Sequence, residues 1–525
     1  MHQSFQLTLP PNVALDDTAF QQYVVRHLGL QQTETLTIRK LKQSIDARSR
    51  QVKVNVSVEV YADEAAPPAI SYQKNYPDVS NQPAVVIVGC GPAGMFAALR
   101  LIELGYKPIV LERGKDVRAR RRDLAAINKD QIVDPDSNYC FGEGGAGTYS
   151  DGKLYTRSNK RGDVRRILEI LVAHGATEQI LYDAHPHIGT NKLPPLIADM
   201  RESILKAGGE VHFNTRVTDF ILGGPSNEMR GVVTADGKEY TGLGVILATG
   251  HSARDIFELC QQKAIHIESK PFAVGVRIEH AQSLIDSVQY HCADRGAYLP
   301  AASYSLVTQT RVNGVQRGVF SFCMCPGGFI VPAATSPGEL VVNGMSPSRR
   351  DSRFANSGMV VSIEEADLKP YAKFGPLAGL ELQKVIEQRA CAITGGGQVA
   401  PAQRVLDFIQ KRTSSSLLET SYQPGLQSLD LREYLPAHIA EPLRLGLQDF
   451  GKKIKDYVSN DAQLIGAESR TSSPVRIPRD RETAEHLQTK RLFPCGEGAG
   501  YAGGIMSAAL DGTFVAECLV KQYGK

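Results

Sequence analysis

The sequence is poor in the features that mark secreted, membrane-spanning and nucleic-acid-coating proteins. It has nine cysteines, an odd number, and no Cys-x-x-Cys pair, which disfavours a disulfide framework and a cysteine-rich zinc site. It has no run of 18 apolar residues, so no transmembrane helix is expected. Charges nearly cancel, with 59 Lys and Arg against 56 Asp and Glu, which argues against a chain that coats nucleic acid or membrane.

The N-terminus, MHQSFQL, also lacks a basic start followed by an apolar core, so no secretory signal is expected. These absences together predict a cytoplasmic protein with no membrane partner. The 525 residues are 42 % hydrophobic and 22 % charged, which is typical of a globular chain of three or four domains.

Residues 1–80 are expected to form a small module followed by a linker. Alternating apolar residues, a helical pattern after Asp16 and valines at every second position from Val52 to Val60 give a β-α-β-β order. That order favours a ferredoxin-like α+β unit. The basic residues between Arg39 and Arg50 have no interleaved aromatics, which favours a solvated hairpin over a nucleic-acid surface.

The strongest motif begins at residue 83. An apolar strand is followed by Gly89-x-Gly91-x-x-Gly94, a helix over 92–104 and a second strand that ends at Glu112. Gly89 permits the tight turn, Gly91 leaves room for a pyrophosphate at the helix N-terminus, and Gly94 lets the helix pack closely on the strand. A carboxylate at Glu112 is placed to accept hydrogen bonds from ribose hydroxyls.

Three further segments are rich in glycine. Five glycines fall between Gly142 and Gly152, which permits close approach of a flat or anionic ligand. A hairpin over 231–240 leads to a buried strand that ends in Ala-Thr-Gly250, and the tail over 492–512 predicts a strand, a glycine turn and a helix of small residues.

Side-chain candidates for chemistry are Lys153, His187, Cys323 and Cys325. His187 belongs to a His-Pro-His sequence, but the sequence shows no third ligand, so no metal site is expected. If the two cysteines lie on an extended strand, their Cα atoms are about 6.5–7 Å apart, which disfavours a mutual disulfide. A redox pair stays open as the alternative, but cysteine is common in buried cores, so we expect the two side chains to pack against a cofactor or substrate cavity.

Residues 265–460 contain no second nucleotide fingerprint and are expected to form an inserted mixed α/β domain. The predicted organisation is thus a module and linker over 1–80, a nucleotide-binding domain over 81–264 and 461–525, and the insert between them.

With these motifs the chain resembles flavoproteins of the glutathione-reductase-type FAD fold. More closely, Phe141–Leu154, Pro186–Thr190, Phe322–Gly328 and Gly496–Ile505 resemble a bacterial family called uncharacterised FAD-dependent dehydrogenases. The resemblance implies an α/β fold: a glutathione-reductase-type, Rossmann-like FAD-binding domain, an inserted mixed α/β substrate domain, and the ferredoxin-like module. It also implies non-covalent FAD.

The resemblance implies particular roles for residues of this chain. The glycines at 89, 91 and 94 would meet the FAD pyrophosphate, and Glu112 the adenosine ribose. Glu497 stands where the fold usually has an Asp on the ribityl chain, and the helix beginning near Gly503 would point at the pyrimidine side of the flavin. The cofactor-binding positions implied are Gly89, Gly91, Pro92, Ala93, Gly94, Glu112, Arg113, Gly144, Gly145, Gly147, Thr249, Gly250, Gly496, Glu497, Gly503, Gly504 and Ile505.

The function expected is that of an FAD-dependent oxidoreductase. Hydride would pass between flavin N5 and a small-molecule substrate held by the inserted domain. NAD(P)H is left open as a transient reductant, because only one nucleotide fingerprint is present. The alternatives are an RNA-modifying flavoprotein that uses the basic module, and a non-catalytic flavin-binding protein. The sequence leaves the substrate and the oligomeric state open.

Overall fold

The computed structural model describes residues 2–29, 36–156, 162–224 and 227–524. The elements of the N-terminal module are β1 (His2–Leu9), α1 (Pro11–Ala14), α2 (Asp17–Leu28), β2 (Thr37–Asp46) and β3 (Lys53–Tyr61). They form a three-stranded antiparallel sheet of order β1-β3-β2 with its helices on one face. A complete ferredoxin-like unit has a further helix and a fourth strand, which the described part of this module does not contain.

The valine alternation explains this sheet, because the valines at 54, 56, 58 and 60 all point into the module's core. The Asp16 side chain accepts a hydrogen bond from the backbone N–H of Ala19 and caps α2. The basic residues are largely engaged locally: Lys40 donates to the Ala14 carbonyl at 2.9 Å, and Arg48 pairs with Asp46 at 2.6 Å.

The central domain contains a parallel sheet whose first four strands come from one stretch of chain. The elements are β4 (Ala84–Val88), α3 (Pro92–Glu103), β5 (Lys107–Leu111), α4 (Val117–Lys129), α5 (Val164–Ala173), α6 (Leu193–Lys206), β6 (Glu210–His212), β7 (Val217–Gly223), β8 (Glu228–Thr234), β9 (Glu239–Thr241), β10 (Val245–Leu247) and α7 (Arg254–Gln262). Strands β7, β8 and β9 form a separate meander, after which β10 returns to the parallel sheet, as the sequence predicts.

The inserted domain contains a large mixed sheet. Its elements are β11 (Glu268–Ser269), β12 (Phe272–Ala281), α8 (Gln282–Tyr290), β13 (Val307–Val312), β14 (Val315–Cys325), β15 (Phe329–Pro332), β16 (Val342–Met345), β17 (Phe354–Ile363), α9 (Ala378–Ile393), β18 (Ala400–Arg404), α10 (Val405–Ile409), β19 (Leu426–Ser428), α11 (Ala437–Lys453), β20 (Gln463–Glu468) and β21 (Val475–Arg476). The sheet has seven strands in the order β13-β14-β17-β12-β20-β18-β19, and among these described strands only β18 and β19 pair in parallel. Strand β20 lies inside this sheet, so the sheet extends past the expected boundary at residue 460.

The C-terminal segment completes the central domain with β22 (Leu492–Pro494) and α12 (Ile505–Tyr523). Strand β22 pairs with β10, which gives the parallel sheet its full order, β22-β10-β4-β5-β6. Helix α12 packs directly on α3: a Cβ at Gly512 would lie 2.0 Å from the Ala93 carbonyl oxygen, so only glycine fits there.

Buried ion pairs join the two large domains. Arg254 of α7 pairs with Glu339 and Glu387 of the inserted domain, both at 2.9 Å. Arg470, which follows β20 in the inserted domain, pairs with the same two carboxylates at 2.9 Å each and fixes their position. These bonds hold the inserted domain against the C-terminal ends of the parallel strands. No helix among the described residues is long and apolar enough to cross a membrane.

Candidate cofactor and substrate site

A cavity of about 820 Å³ lies where the inserted domain meets the parallel sheet. This volume falls in the upper part of the range of about 300–1,000 Å³ that is typical of small-molecule and cofactor sites. Its wall includes the β4–α3 turn, the end of β10, the N-terminus of α12, and residues of the inserted domain that include Phe322 and Asn343. The cavity therefore lies at the carboxyl ends of the parallel strands, where open α/β sheets bind ligands.

The glycines of the β4–α3 turn meet different constraints. Gly89 has φ +104°, and a Cβ on it would lie 2.4 Å from the Ala248 carbonyl oxygen. A Cβ on Gly94 would lie 2.0 Å from the Gly89 carbonyl oxygen. Gly91 has φ −78°, and the atom nearest to its Cβ position is the Gly145 Cα at 3.9 Å. The fold thus requires Gly89 and Gly94, whereas Gly91 faces open space in the cavity.

Glu112 lies at the end of β5 on the cavity wall, and its carboxylate accepts three backbone hydrogen bonds. The donors are the N–H groups of Cys90, Gly114 and Gly142, each at 2.9 Å. The side chain therefore also joins the glycine turn to the glycine-rich loop, a structural role that the sequence analysis did not assign. Next to it, Arg113 pairs with Asp136 and Asp255 and lies 4.2 Å from the centre of the Phe141 ring.

The glycine-rich loop is held from behind by Arg120, which is fully buried. Its guanidinium donates to the carbonyls of Asn138, Glu143 and Gly145 at 2.8–3.0 Å. A run of arginines such as that on α4 is typical of a solvated helix face for most of its members, and Arg120 is the exception. The spacing gives the signal that could have found it, because Arg120 falls on the same helix face as the buried Val117, Leu124 and Ile127.

The glycine-rich segments converge at the cavity. A Cβ on Gly145 would lie 3.2 Å from the Gly91 Cα, and one on Gly147 would lie 3.1 Å from an Ile505 side-chain atom. A Cβ on Gly498 would lie 2.4 Å from the Gly250 carbonyl oxygen. Segments far apart in sequence therefore approach each other closely, and at Gly498 the approach leaves no room for a Cβ.

Two helices begin at this cavity without a carboxylate in the first turn. Helix α3 begins at Pro92, and α12 begins at Ile505 after Gly503 and Gly504. A Cβ at Gly503 or Gly504 would meet no atom within 4 Å. The positive ends of both helix dipoles and their unpaired N–H groups are thus directed at the same open volume, which suits an anionic ligand.

Several ionisable side chains line the cavity where the glycine-rich loop meets the inserted domain. Lys153 lies there with its side chain 38 % exposed, 3.5 Å from a buried Asp151 carboxylate oxygen. Burial opposes the charge on Asp151, but Lys153 and Arg350 outweigh it and lower the pKa of that carboxyl to about 2. Glu497 also lines the cavity, and there burial raises the pKa to about 7.

The expected positions fall into two groups. Of the cofactor-binding positions, those absent from the cavity wall are Gly94, Gly144 and Gly496. These three support the backbone instead: the Gly496 N–H, for example, donates to Asp511 at 2.7 Å. Of the side-chain candidates, Lys153 and Cys323 line the cavity, while His187 and Cys325 lie behind it. The His187 Nε2 lies 3.1 Å from the Ser348 carbonyl oxygen.

Among the described residues, no three His, Cys, Asp or Glu side chains cluster in a way that could hold a metal ion.

Comparison with known proteins adds two matches of sequence models. Residues 271–471 match a family described as "FAD-dependent protein, C-terminal domain-like", and residues 1–61 match a domain of unknown function. The first match covers the inserted domain, including β20.

An uncharacterised protein of Clostridium beijerinckii is 39 % identical over 533 residues, which cover 98 % of both chains. Solved structures that match include CtdE in complex with FAD, with TM-score 0.31 and 13 % identity over 85 % of this chain and 87 % of that one. Glycine oxidase from Bacillus cereus matches with TM-score 0.32 and 12 % identity over 84 % and 96 %. TM-scores this low carry no information about activity. The C. beijerinckii relative and the model that matches the inserted domain decide the family: the chain belongs to an uncharacterised family of FAD-dependent proteins.

Proposed function

We propose that the protein is an FAD-dependent oxidoreductase that exchanges two electrons between FAD and a small molecule bound in the same cavity. One observation carries the proposal. The wall of a single cavity combines the glycine turn of α3 and the N-terminus of α12 with Lys153, Phe322 and Cys323. A cofactor and a substrate held by these two groups of residues would share that cavity and would be in contact with each other.

The residues present fit FAD. The open space at Gly91, Gly503 and Gly504 leaves the backbone free to approach a ligand, and two helix N-termini supply positive potential for a pyrophosphate and for an anionic reduced ring. Glu112 lies at the wall with carboxylate oxygens that can accept ribose hydroxyls in addition to their backbone donors.

We therefore assign the pyrophosphate to the β4–α3 turn, the adenosine ribose to Glu112, the ribityl chain to Glu497 and the pyrimidine side of the flavin to the N-terminus of α12. This arrangement is that of the glutathione-reductase-type FAD fold. When bound, FAD supplies hydride and electron transfer at N5, which no protein side chain can perform.

Side chains of this protein would bind the substrate and orient it. The Lys153 ammonium, which nearby negative groups keep protonated, would bind an anionic or polar part of the substrate. Phe322 supplies an apolar surface, and Asn343 and Thr471 supply hydrogen-bonding groups at the same wall. The buried ion pairs of Arg254 and Arg470 keep the inserted domain closed over this space, so the substrate is oriented and water is excluded.

The test begins with the purified full-length chain. We expect it to be yellow and to release one equivalent of FAD on denaturation. Anaerobic addition of NADH, NADPH or candidate metabolites should bleach the flavin absorbance near ~450 nm for at least one compound. A protein that binds FAD but is bleached only by dithionite would overturn the oxidoreductase and favour the non-catalytic alternative.

A further inference from the structure

The backbone at the end of β14 is not that of a regular strand. Cys323 has φ +44°, in the left-handed region that residues other than glycine rarely occupy. The register of β14 against β17 also shifts between Phe322 and Cys325. The strand is therefore bulged at this point, and the extended spacing used in the sequence analysis to disfavour a Cys323–Cys325 disulfide does not apply. Strain of this kind is typical of functional sites.

The bulge places the two thiols in different surroundings. Cys323 lies on the cavity wall, whereas Cys325 is fully buried behind it. The Cys325 Sγ donates to the Cys323 carbonyl oxygen at 3.3 Å, so the segment folds back on itself.

Two cationic side chains hold this segment in place. The Arg277 Nη2 donates to the Cys323 carbonyl oxygen at 2.7 Å and lies 3.8 Å from the Cys325 Sγ. On the cavity side, the Lys153 Nζ donates to the Met324 carbonyl. Arg277 is itself buried and is paired with Glu468 at 2.5 Å, so its position is fixed.

The electrostatic surroundings differ between the two thiols and favour Cys323 as the nucleophile and Cys325 as its partner. The neighbouring Cys325 thiol holds the pKa of Cys323 well below its usual range, and together with Lys153 and Arg277 it outweighs the opposing effect of burial. Proximity to Cys323 and burial raise the pKa of Cys325 well above its usual range. A cavity-facing thiolate with a protonated thiol behind it is the arrangement that thiol–disulfide exchange requires.

We propose that Cys323 and Cys325 form a redox-active pair whose substrate class is a small disulfide, or the corresponding dithiol, that enters the cavity beside Lys153. Cys323 is the attacking thiol, and Cys325 is the thiol that resolves the mixed disulfide. The link from this pair to FAD rests on the proposed function, whereas the exchange itself does not need FAD.

The exchange balances as follows in the direction of disulfide reduction. The Cys323 thiolate attacks one sulfur of the substrate; a new S–S bond forms, the substrate's S–S bond breaks, and the first thiolate leaves and takes a proton from solvent that replaces the one Cys323 lost. The Cys325 thiol then loses its proton, and its sulfur attacks the Cys323 Sγ. The second substrate thiolate leaves with that proton. Two cysteine thiols are oxidised to a disulfide, and one disulfide is reduced to two thiols.

The first test uses one tryptic peptide. Cleavage after Arg317 and Arg349 gives a fragment that contains Cys323 and Cys325 and no other cysteine. The full chain is equilibrated in buffers of increasing glutathione disulfide to glutathione ratio, alkylated and measured by mass spectrometry. We expect this peptide to change from doubly alkylated to unalkylated and internally bridged at one defined ratio. A peptide that stays doubly alkylated in every buffer would overturn the proposal.

Matched variants test which thiol attacks and which thiol resolves the mixed disulfide. Cys325→Ser should trap glutathione on Cys323 as a stable mixed disulfide, because the resolving thiol is gone. Cys292→Ser, which changes a cysteine outside the cavity wall, should leave the titration of the pair unchanged. Glutathione that accumulates on Cys325 in Cys323→Ser faster than on Cys323 in Cys325→Ser would refute the assigned order of attack.

A second measurement separates failure of this inference from failure of the proposed function. Anaerobic dithiothreitol should bleach bound flavin in the wild type faster than in the Cys323→Ser, Cys325→Ser double variant. Equal bleaching rates, together with a peptide that never forms a bridge, would refute the redox role of the two cysteines and would leave the proposed oxidoreductase function unaffected. A bridge that forms in a protein whose flavin no substrate bleaches would support the pair and remove the proposed flavin function.

Discussion

Replacement of Gly91 should remove FAD without unfolding the protein. Gly91 has φ −78° and ψ −176°, which any residue adopts, and its Cβ position is 3.9 Å from the nearest atom. The Cβ of an alanine at this position makes no close contact with the backbone, so Gly91→Ala apo-protein should unfold within about 1 kcal/mol of the wild type. The added side chain would instead occupy the space in front of the α3 N-terminus.

The expected loss of affinity follows from the contacts that this side chain displaces. A hydrogen bond to a charged group contributes about 1.5–3 kcal/mol, and about 1.4 kcal/mol corresponds to a tenfold change in affinity. Loss of one pyrophosphate contact in Gly91→Ala should therefore raise the Kd for FAD roughly 10- to 100-fold, and Gly91→Val should raise it further.

The assay is a fluorescence titration of apo-protein with FAD, accompanied by urea unfolding of the same samples. Gly318→Ala is the matched control, because its Cβ would make only ordinary contacts at 3.6 and 3.8 Å in the inserted domain. Gly94→Ala is the opposite control and should destabilise the fold, since its Cβ would lie 2.0 Å from the Gly89 carbonyl oxygen. A Gly91→Val protein that purifies with a full complement of FAD would refute the assignment of the pyrophosphate site.

Three further predictions concern single side chains. Glu112→Gln should weaken FAD binding and also lower the free energy of unfolding of the apo-protein by about 1–3 kcal/mol, because an amide cannot accept all three backbone hydrogen bonds; unchanged values in both titrations would contradict the dual role. Arg120→Met should lower the free energy of unfolding by about 3 kcal/mol or more by leaving buried carbonyls without a donor, whereas the exposed Arg122→Met should change it by less than about 0.5 kcal/mol. Glu497 has a folded-state pKa of about 7, above its unfolded value near 4.5, so the wild-type apo-protein loses stability as pH rises through this interval. The Tm of Glu497→Gln minus that of the wild type should therefore increase between pH 5.5 and 8, and a difference independent of pH would contradict the raised pKa.

The parts of the site predictable from sequence were those in which each residue type meets a local requirement. The β4–α3 turn shows this, since the glycine spacing, the following helix and Glu112 all lie within one β-α-β unit. The valine alternation of β3 is another case, because the period of a strand depends only on neighbouring residues.

The remainder depended on contacts that are distant in sequence or on departures from regular geometry. The partners of Arg470 lie 131 and 83 residues away, and nothing local in the sequence identifies them. The backbone at Cys323 could not be predicted for a different reason: the sequence suggests an extended strand there, whereas the structure has a bulge. The Pro-Gly-Gly sequence that follows Cys325 was a sign that the strand was ending there.

The discontinuous central domain also determines when the protein can mature during synthesis. Strand β22 and helix α12 complete the sheet edge and the second helix N-terminus, yet both are translated after the whole inserted domain. A nascent chain that has not yet produced residues 492–523 exposes the edge of β10 and the face of α3 that α12 covers. Because domains generally fold as units while the chain emerges, the inserted domain can fold first and the cofactor can be captured only after it. A chain that ends before residue 492, through ribosome stalling or proteolysis, would lack the cofactor and expose a sheet edge, which makes it a natural client of chaperones.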